Sequence, residues 1–307
     1  VEPLSSIYAG HQFGYFVPQL GDGRSCLIGE ANGYELSLKG AGTTPYSRGA
    51  DGRAVLRSSI REYLCSIAME GLNIPTTEAL AIVASDTDVY REHVESGAIV
   101  TRVAKSHIRF GHFELFASRG QTAEVKKLAD FVIDHYYPQL KGKDSYLQLF
   151  KTVILSTAVM IARWQAQGFA HGVMNSDNMS ILGLTIDYGP FSFMETYNPS
   201  FICNHSDHQG RYSFERQPSV ALWNLDRLAN AIRSLIDETH LKDALAEYEG
   251  FLVKEYSALM RQKFGLVEVN EDDSKLVNDY LQLLYEHKKD YPISMRLLSK
   301  DNNNMGS

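Results

Sequence analysis

Residues 171–189 read His-Gly-Val-Met-Asn-Ser-Asp-Asn-Met-Ser-Ile-Leu-Gly-Leu-Thr-Ile-Asp-Tyr-Gly, and they constrain the chain more than any other stretch. Asp177 and Asn178 stand side by side. A short apolar run, Ile181 to Ile186, then delivers Asp187 just ahead of Tyr188-Gly189. Asn178 and Asp187 are nine positions apart, joined by a run short enough to be a hairpin, so their oxygens can meet at one hard cation. Magnesium with nucleotide phosphates is the natural candidate, because Mg²⁺ takes one or two protein oxygens and leaves the rest to water and phosphate.

At 307 residues the chain is long enough for one two-lobed unit or two domains. Its net charge of −7 gives no reason to expect a nucleic-acid surface. Cys26, Cys65 and Cys203 are widely spaced with no CxxC pair, which suggests neither a disulfide framework nor a zinc site, and makes a reducing compartment the default. The most apolar window, Thr152 to Trp164, is interrupted by Ser156, Thr157 and Arg163; it is too short to cross a bilayer and reads as a buried helix. No membrane partner is therefore expected. The first residue is Val, and Val1-Glu2-Pro3 has no signal-peptide character, which reads as a fragment or trimmed chain. The expected location is cytoplasmic, or mitochondrial if a natural precursor carries a transit peptide.

In chain order, the glycine-punctuated, aromatic segment Tyr8 to Gly14 is not assigned to a helix or to a strand by its pattern. Gly21-Asp22-Gly23-Arg24 reads as a tight turn, either a plain β-turn or one presenting backbone N–H groups to phosphate. Cys26–Glu30 and Tyr34–Lys39 read as strands joined by Ala31-Asn32-Gly33, and Asn-Gly between apolar alternations signals a hairpin. Lys39 ends the second strand before Gly40-Ala41-Gly42. A polar loop with glycine and proline breaks, Thr43 to Arg53, looks suited to ligand contact. The spacing of Val55, Leu56, Ile60, Leu64, Ile67 and Ala68 predicts a helix over Arg53–Glu70 stopped by Gly71. Glu62, in mid-helix, could pair with Lys39 or with the neighbouring Arg57 or Arg61.

Glu78–Ser85 and Ile99–Val103 read as further strands, with Asp86-Thr87-Asp88 and Glu95-Ser96-Gly97 as turns. Arg102 within the second run faces either solvent or a partnered polar site. From Thr122 onward helical periodicity takes over: Ala123–Tyr136, Ser145–Gln167, Ala221–Ile236, Leu241–Phe264 and Ser274–Lys288. The section Pro190–Pro218 is irregular. Its His205, Asp207 and His208 could suggest a metal site, although polar loops produce such clusters by chance. The tail Lys300–Ser307 is polar and expected to fray.

The spacing of His171, Asn178 and Asp187-Tyr188-Gly189 is similar to the protein-kinase motifs His-Arg-Asp-x-x-x-x-Asn and Asp-Phe-Gly, with Val173 where the catalytic Asp belongs. Together with Lys39 and Glu62, this implies an α+β, bilobal protein-kinase-like fold. A β-rich N-terminal lobe with one main helix would span residues 1–113, and a mostly helical C-terminal lobe carrying the catalytic loop and metal site residues 114–307.

Longer strings carry a closer resemblance. Tyr8-Ala9-Gly10-His11-Gln12-Phe13-Gly14, Gly21-Asp22-Gly23-Arg24, Lys39-Gly40-Ala41-Gly42, Pro45-Tyr46-Ser47-Arg48 and Asp51 to Glu62 resemble the selenoprotein O family. So do His171 to Asn175, Asp177 to Ile181, Asp187 to Phe191, Asn198-Pro199 and Asn204 to Asp207, covering roughly residues 3–235. Members of that family lack the kinase catalytic Asp and are understood as protein adenylyltransferases. They move AMP from ATP onto Ser, Thr or Tyr hydroxyls of proteins, with the nucleotide reversed relative to kinases. The resemblance implies Asp177 as general base, Asn178 and Asp187 as holders of Mg²⁺ (or Mn²⁺), and Gly21, Gly23, Arg24, Lys39, Asp51, Gly52, Arg102 and Arg109 as contacts to ATP. Glu62 would orient Lys39. Many members also carry a redox-active cysteine or selenocysteine near the C-terminus, whereas this sequence has no cysteine after Cys203.

The chemistry agrees with the residue types. Attack at the α-phosphorus expels pyrophosphate, so charge builds on the far phosphates, where arginines give forked contacts. A carboxylate beside Asn178 can accept the hydroxyl proton. The alternatives are an ATP-dependent phosphotransferase, which Val173 disfavours, and a nucleotide-binding pseudokinase scaffold.

Overall fold

The computed structural model describes residues 2–301. The chain opens with two antiparallel strands, β1 (Ile7–Gln12) and β2 (Tyr15–Gly21), which take in most of the segment that sequence patterns leave unassigned. Their reversal falls at Phe13-Gly14, both at positive φ (50° and 88°). Next comes the expected hairpin, β3 (Ser25–Ala31) and β4 (Tyr34–Lys39). Asn32 and Gly33 take φ of 53° and 74°, as a two-residue turn with both central residues left-handed requires.

After the polar loop come β5 (Ala54–Val55), helix α1 (Leu56–Gly71), β6 (Glu78–Tyr90) and β7 (Val94–Ala104). The antiparallel sheet runs β3-β4-β7-β5, and β6 also pairs with β7. The expected turns at Asp86-Thr87-Asp88 and Glu95-Ser96-Gly97 are both within strands instead. The β6–β7 register slips between Ser85 and Asp88, so a bulge absorbs the turn-forming residues, and Ser85 Oγ bonds Thr87 locally. The true reversal lies at 91–93.

Helix α1 packs on β6 and β7, but not through the apolar stripe its sequence suggests. Its buried residues are Ser59, Glu62, Cys65, Ser66 and Met69, while Ile60, Leu64 and Ile67 are 43%, 60% and 48% exposed. The stop is also displaced by two positions: Asn73, not Gly71, adopts the left-handed φ of 55°.

Helix α2 (Phe110–Ser118), which periodicity does not reveal, buries Phe110, Phe113 and Leu115, and its first turn is closed by His112 Nδ1 accepting from Arg109 N at 2.9 Å. α3 (Thr122–Tyr136) and α4 (Ser145–Gln167) fall where the spacing places them. At 23 residues, α4 is longer than its apolar centre and is long and apolar enough to cross a membrane by length and composition; half of its most apolar window is buried in the protein. A two-residue pair, β8 (Phe169–Ala170) with β9 (Ser192–Phe193), precedes α5 (Gln217–Ile232), α6 (Glu238–Phe264), α7 (Asp273–Glu286) and α8 (Tyr291–Asp301). α8 makes the start of the expected polar tail helical; residues 302–307 lie outside the described residues.

Packing divides this α+β chain into two units. The first comprises residues 1–153, 175–189 and 224–242, and so includes both the sheet and the segment carrying Asp177, Asn178 and Asp187. The second comprises 154–174, 190–223 and 243–307. Its core gathers Ala166, Met194, Phe214, Met260, Val277, Leu281, Leu284, Tyr291 and Met295. Tyr291, almost fully buried, donates its hydroxyl to Ala166 O at 2.9 Å, satisfying the polar tip of an otherwise apolar ring.

Candidate active site

Five antiparallel pairings between β4 and β7 place Lys39 and Arg102 on adjacent strands, with Ser37 opposite Arg102. Both side chains are buried, and a buried charge needs a partner. Glu62, projected from the inner face of α1, supplies it to both. Lys39 Nζ donates to Glu62 Oε2, and Arg102 Nε donates to Oε1 at 2.5 Å. The expected Lys39–Glu62 pair is therefore formed; the competing partner Arg57 instead forks onto Glu95, with both contacts at 3.0 Å. Burial would raise the Glu62 carboxyl, but Arg102 and Lys39 outweigh it and hold the group down at about 2. Burial and the adjacent Arg102 guanidinium lower the Lys39 ammonium to about 8.

Arg102 continues toward Asp187, donating from Nη1 to Oδ1 at 2.9 Å, while its Nη2 is buried with no hydrogen-bond partner. Arg109, at the start of α2, takes the other carboxylate oxygen. Its Nη1 donates to Asp187 Oδ2, to the backbone oxygen of Asp177 at 2.9 Å and to Asn178 Oδ1 at 3.4 Å. Three oxygens thus converge on one cationic nitrogen. Burial opposes ionisation of Asp187, yet Arg109 and Arg102 hold its carboxyl well below the usual range. Asp187 also takes a left-handed φ of 57°, strained for a residue with a Cβ.

Asp177 sits in a short 3-10 turn, Ser176–Asn178, and is 5% exposed. Burial raises its carboxyl to about 6, against the lowering influence of Arg109 and of Gln12, whose Nε2 lies 3.4 Å from Oδ2. Oδ1 is buried without a partner. A cavity of about 240 Å³ opens beside this cluster, walled by Asp22, Ser25, Leu27, Ser37, Arg102 and Arg109 among others.

Across its whole length, residues 1–307, the chain matches the profile of the family described as protein adenylyltransferase SelO. It belongs to that family. Among curated SelO-family relatives, it is 55% identical over 305 residues to the protein nucleotidyltransferase YdiU of Klebsiella pneumoniae, covering 97% of this chain and 64% of that protein. The Vibrio vulnificus YdiU is 56% identical over 305 residues (97% and 62%), and that of Thiobacillus denitrificans 54% over 304 (97% and 62%). The chain spans less than two thirds of the length of these relatives.

The residues singled out from the SelO-like strings are not all brought together. Lys39, Glu62, Arg102, Arg109, Asp177, Asn178 and Asp187 form one connected network. Arg24 is exposed at its edge, within electrostatic reach of Arg102, Asp187 and Glu62. The Gly21-Asp22-Gly23 turn spends two of its amides internally: Asp22 N donates to Ser6 O at 2.9 Å and Gly23 N to Gly21 O at 2.8 Å. Its glycines instead admit the 43–47 loop, because a Cβ at Gly21 would lie 2.5 Å from the Tyr46 ring and one at Gly23 2.9 Å from Tyr46 O. Gly52, at φ 66°, likewise admits Gly42, whose N donates to Gly52 O at 3.2 Å.

Asp51 is exposed, and its partners Arg91 and Arg53 lie outside the network. Arg91 forks onto it at 2.8 and 3.1 Å, and Arg53 N caps it at 2.9 Å. His171, in the second unit, stacks on Trp164 with ring centroids 5.3 Å apart and is 1% exposed. Asp207 accepts from the Arg211 and Tyr212 amides at 2.9 and 2.7 Å, a loop-closing use of its carboxylate.

Sequence reading missed three contributors: Tyr8, whose ring lies 4.9 Å from the Arg109 guanidinium; Asp22, whose carboxylate is 3.9 Å from Arg109; and Gln12. Asp22 lies inside the glycine turn Gly21-Asp22-Gly23-Arg24. Nothing local marks Tyr8 or Gln12.

Proposed function

We propose that the chain carries the nucleotide and catalytic site of a protein adenylyltransferase. It would transfer AMP from ATP to Ser, Thr or Tyr hydroxyls of proteins and release pyrophosphate. The observation that carries this reading is the placement of Asp177: a buried carboxylate titrating near 6, in the same turn as Asn178, whose oxygen converges with Asp187 on Arg109. A base poised near neutrality is partly ionised at working pH yet retains proton affinity. The bilobal, kinase-like arrangement and the assignment of residues 1–113 and 114–307 to its lobes belong to the same proposal, as does a pseudokinase-like exchange of Val173 for the kinase base.

Asn178 and Asp187 fit a hard divalent cation. Both donors are oxygens, one of them anionic, and they already surround a positive charge in the form of Arg109 Nη1. They would hold Mg²⁺ or Mn²⁺, which neutralises phosphate charge when bound. Arg102, Arg109 and Lys39 suit the anionic end of ATP, and the unpartnered Arg102 Nη2 at the cavity wall is a donor available for a phosphate oxygen. Gly21, Gly23, Arg24 and Gly52 would shape the rest of the nucleotide site. Asp51 would join it only by leaving Arg91.

In the reaction, the acceptor hydroxyl oxygen forms a bond to the α-phosphorus as its proton passes to Asp177. The bond from that phosphorus to the pyrophosphate oxygen breaks. The developing charge is stabilised by Arg102, anchored by Glu62, and by Arg109 once Asp187 has released it. ATP labelled separately on the α- and γ-phosphates tests this: label retained on protein only from the α position supports AMP transfer. Retention of only γ label overturns it in favour of phosphorylation, and retention of neither in favour of a scaffold.

A further inference from the structure

The segment Gly10-His11-Gln12-Phe13 is fastened to the base loop residue by residue. His11 N donates to Ser176 Oγ at 2.7 Å, Phe13 N to Asn175 Oδ1 at 3.3 Å, and Gln12 Nε2 to Asp177 Oδ2 at 3.4 Å. The strand is anchored on its other side by His11 Nδ1 against Glu114 Oε2 at 2.5 Å, Glu114 being 3% exposed at its side chain. Gly10 faces the same carboxylate as Gln12: a Cβ there would lie 2.6 Å from Asp177 Oδ1. The β1–β2 register slips between Tyr8 and Gly10, and such a bulge re-aims the residues beside it.

A carboxylate turns about its terminal torsion in a broad, two-fold well, so a buried one without contacts has no fixed accepting direction. Here one oxygen has a donor and the other has none. We infer that Gln12 is the positioning residue for Asp177, holding Oδ2 so that Oδ1 is the oxygen that meets the acceptor hydroxyl, with Gly10 keeping the space beside Oδ1 open. This rests on Asp177 being the base. The 3.4 Å separation is long for a hydrogen bond, and catalytic contacts of this kind tighten once substrate is bound.

The test compares wild type with Gln12→Met, which keeps length and loses the donors, and with Gln12→Glu, which adds like charge. Transfer of α-labelled AMP is followed with kcat and the KM for ATP read separately, beside urea midpoints that report folding. Gln12→Met lowers kcat about tenfold, the scale of one hydrogen bond to a charged group, with the KM for ATP and the urea midpoint unchanged. Gln12→Glu, which cannot donate and sets a like charge against the base, lowers kcat at least as far. An unchanged kcat in Gln12→Met, or a loss carried by KM or by the urea midpoint, overturns the role of Gln12 alone. A wild-type chain that transfers no α label overturns the base assignment and this role with it.

Discussion

Arg102 donates to Asp187 through Nη1 at 2.9 Å while its own Nη2 is buried without an acceptor. Arg109 takes the remaining Asp187 oxygen. The carboxylate proposed to meet the metal is therefore neutralised here by the two guanidiniums proposed to meet phosphate. Productive binding of both requires an exchange of partners, in which the arginines turn to phosphate oxygens as Asp187 turns to the cation. Asp187→Asn removes the competitor for the arginines and the anionic metal donor together. Calorimetric ATP titrations should show affinity in EDTA maintained or raised a few-fold, and the gain on adding Mg²⁺ lost. A variant that still responds to Mg²⁺ as wild type does would contradict the exchange.

Glu62 compensates two buried cations at once. Its side chain is 3% exposed, that of Arg102 7% and that of Lys39 10%. Glu62→Ala strands Lys39 and leaves Arg102 only its Asp187 contact, and breaking a buried pair from one side costs about 3–5 kcal/mol. Lys39→Met should cost less, because Arg102 keeps Glu62 partnered. Urea unfolding of the two variants ranks them; equal losses would show that Glu62 acts mainly through Lys39.

How legible this site was depends on the kind of contact involved. The β3–β4 hairpin and the position of Lys39 at its end follow from local turn chemistry, since Asn32-Gly33 supplies two left-handed residues in sequence. The Asn178–Asp187 pair is close in the chain and was visible for the same reason. Arg102 could be narrowed only to solvent or a polar site, because its partners Glu62 and Asp187 lie 40 and 85 positions away. The attachment of β1 to the base loop spans 165 positions between Gln12 and Asp177, and no periodicity reports it. Asp51 stood in a string resembling ligand-contacting residues, but Arg91 across the sheet edge holds it outward.

Helix α1 shows the same limit and yields a prediction. Apolar spacing pointed Ile60, Leu64 and Ile67 inward, whereas the need to satisfy Lys39 and Arg102 turns the Glu62 face to the sheet. Ile60→Gln and Leu64→Gln should change the stability of this chain by no more than about 0.5 kcal/mol, as for exposed positions. Met69→Ala, at a fully buried site on the opposite face, should cost about 2–5 kcal/mol. Thermal melts of the three variants check the orientation directly. A large loss from Leu64→Gln would mean that the stripe is buried after all.

Asp177 ties stability to pH in a direction opposite to most carboxylates. Burial raises its carboxyl from 3.8 to about 6, so the folded chain holds this proton more tightly than the unfolded chain. The associated stabilisation is fully present below pH 3.8 and is lost as pH rises through 6, leaving the ionised, poorly solvated carboxylate as a cost of up to about 3 kcal/mol. Asp177→Asn replaces it with a neutral group of the same shape. The variant should match wild type near pH 4 and exceed it by up to about 3 kcal/mol at pH 8, while AMP transfer falls by about 10²–10⁴-fold through loss of the base. Urea unfolding at pH 4, 6 and 8 beside the α-label assay reads both effects. A variant no more stable than wild type at pH 8 would mean that the Asp177 charge is well solvated in the fold, and the argument for a base tuned by burial would fail with it.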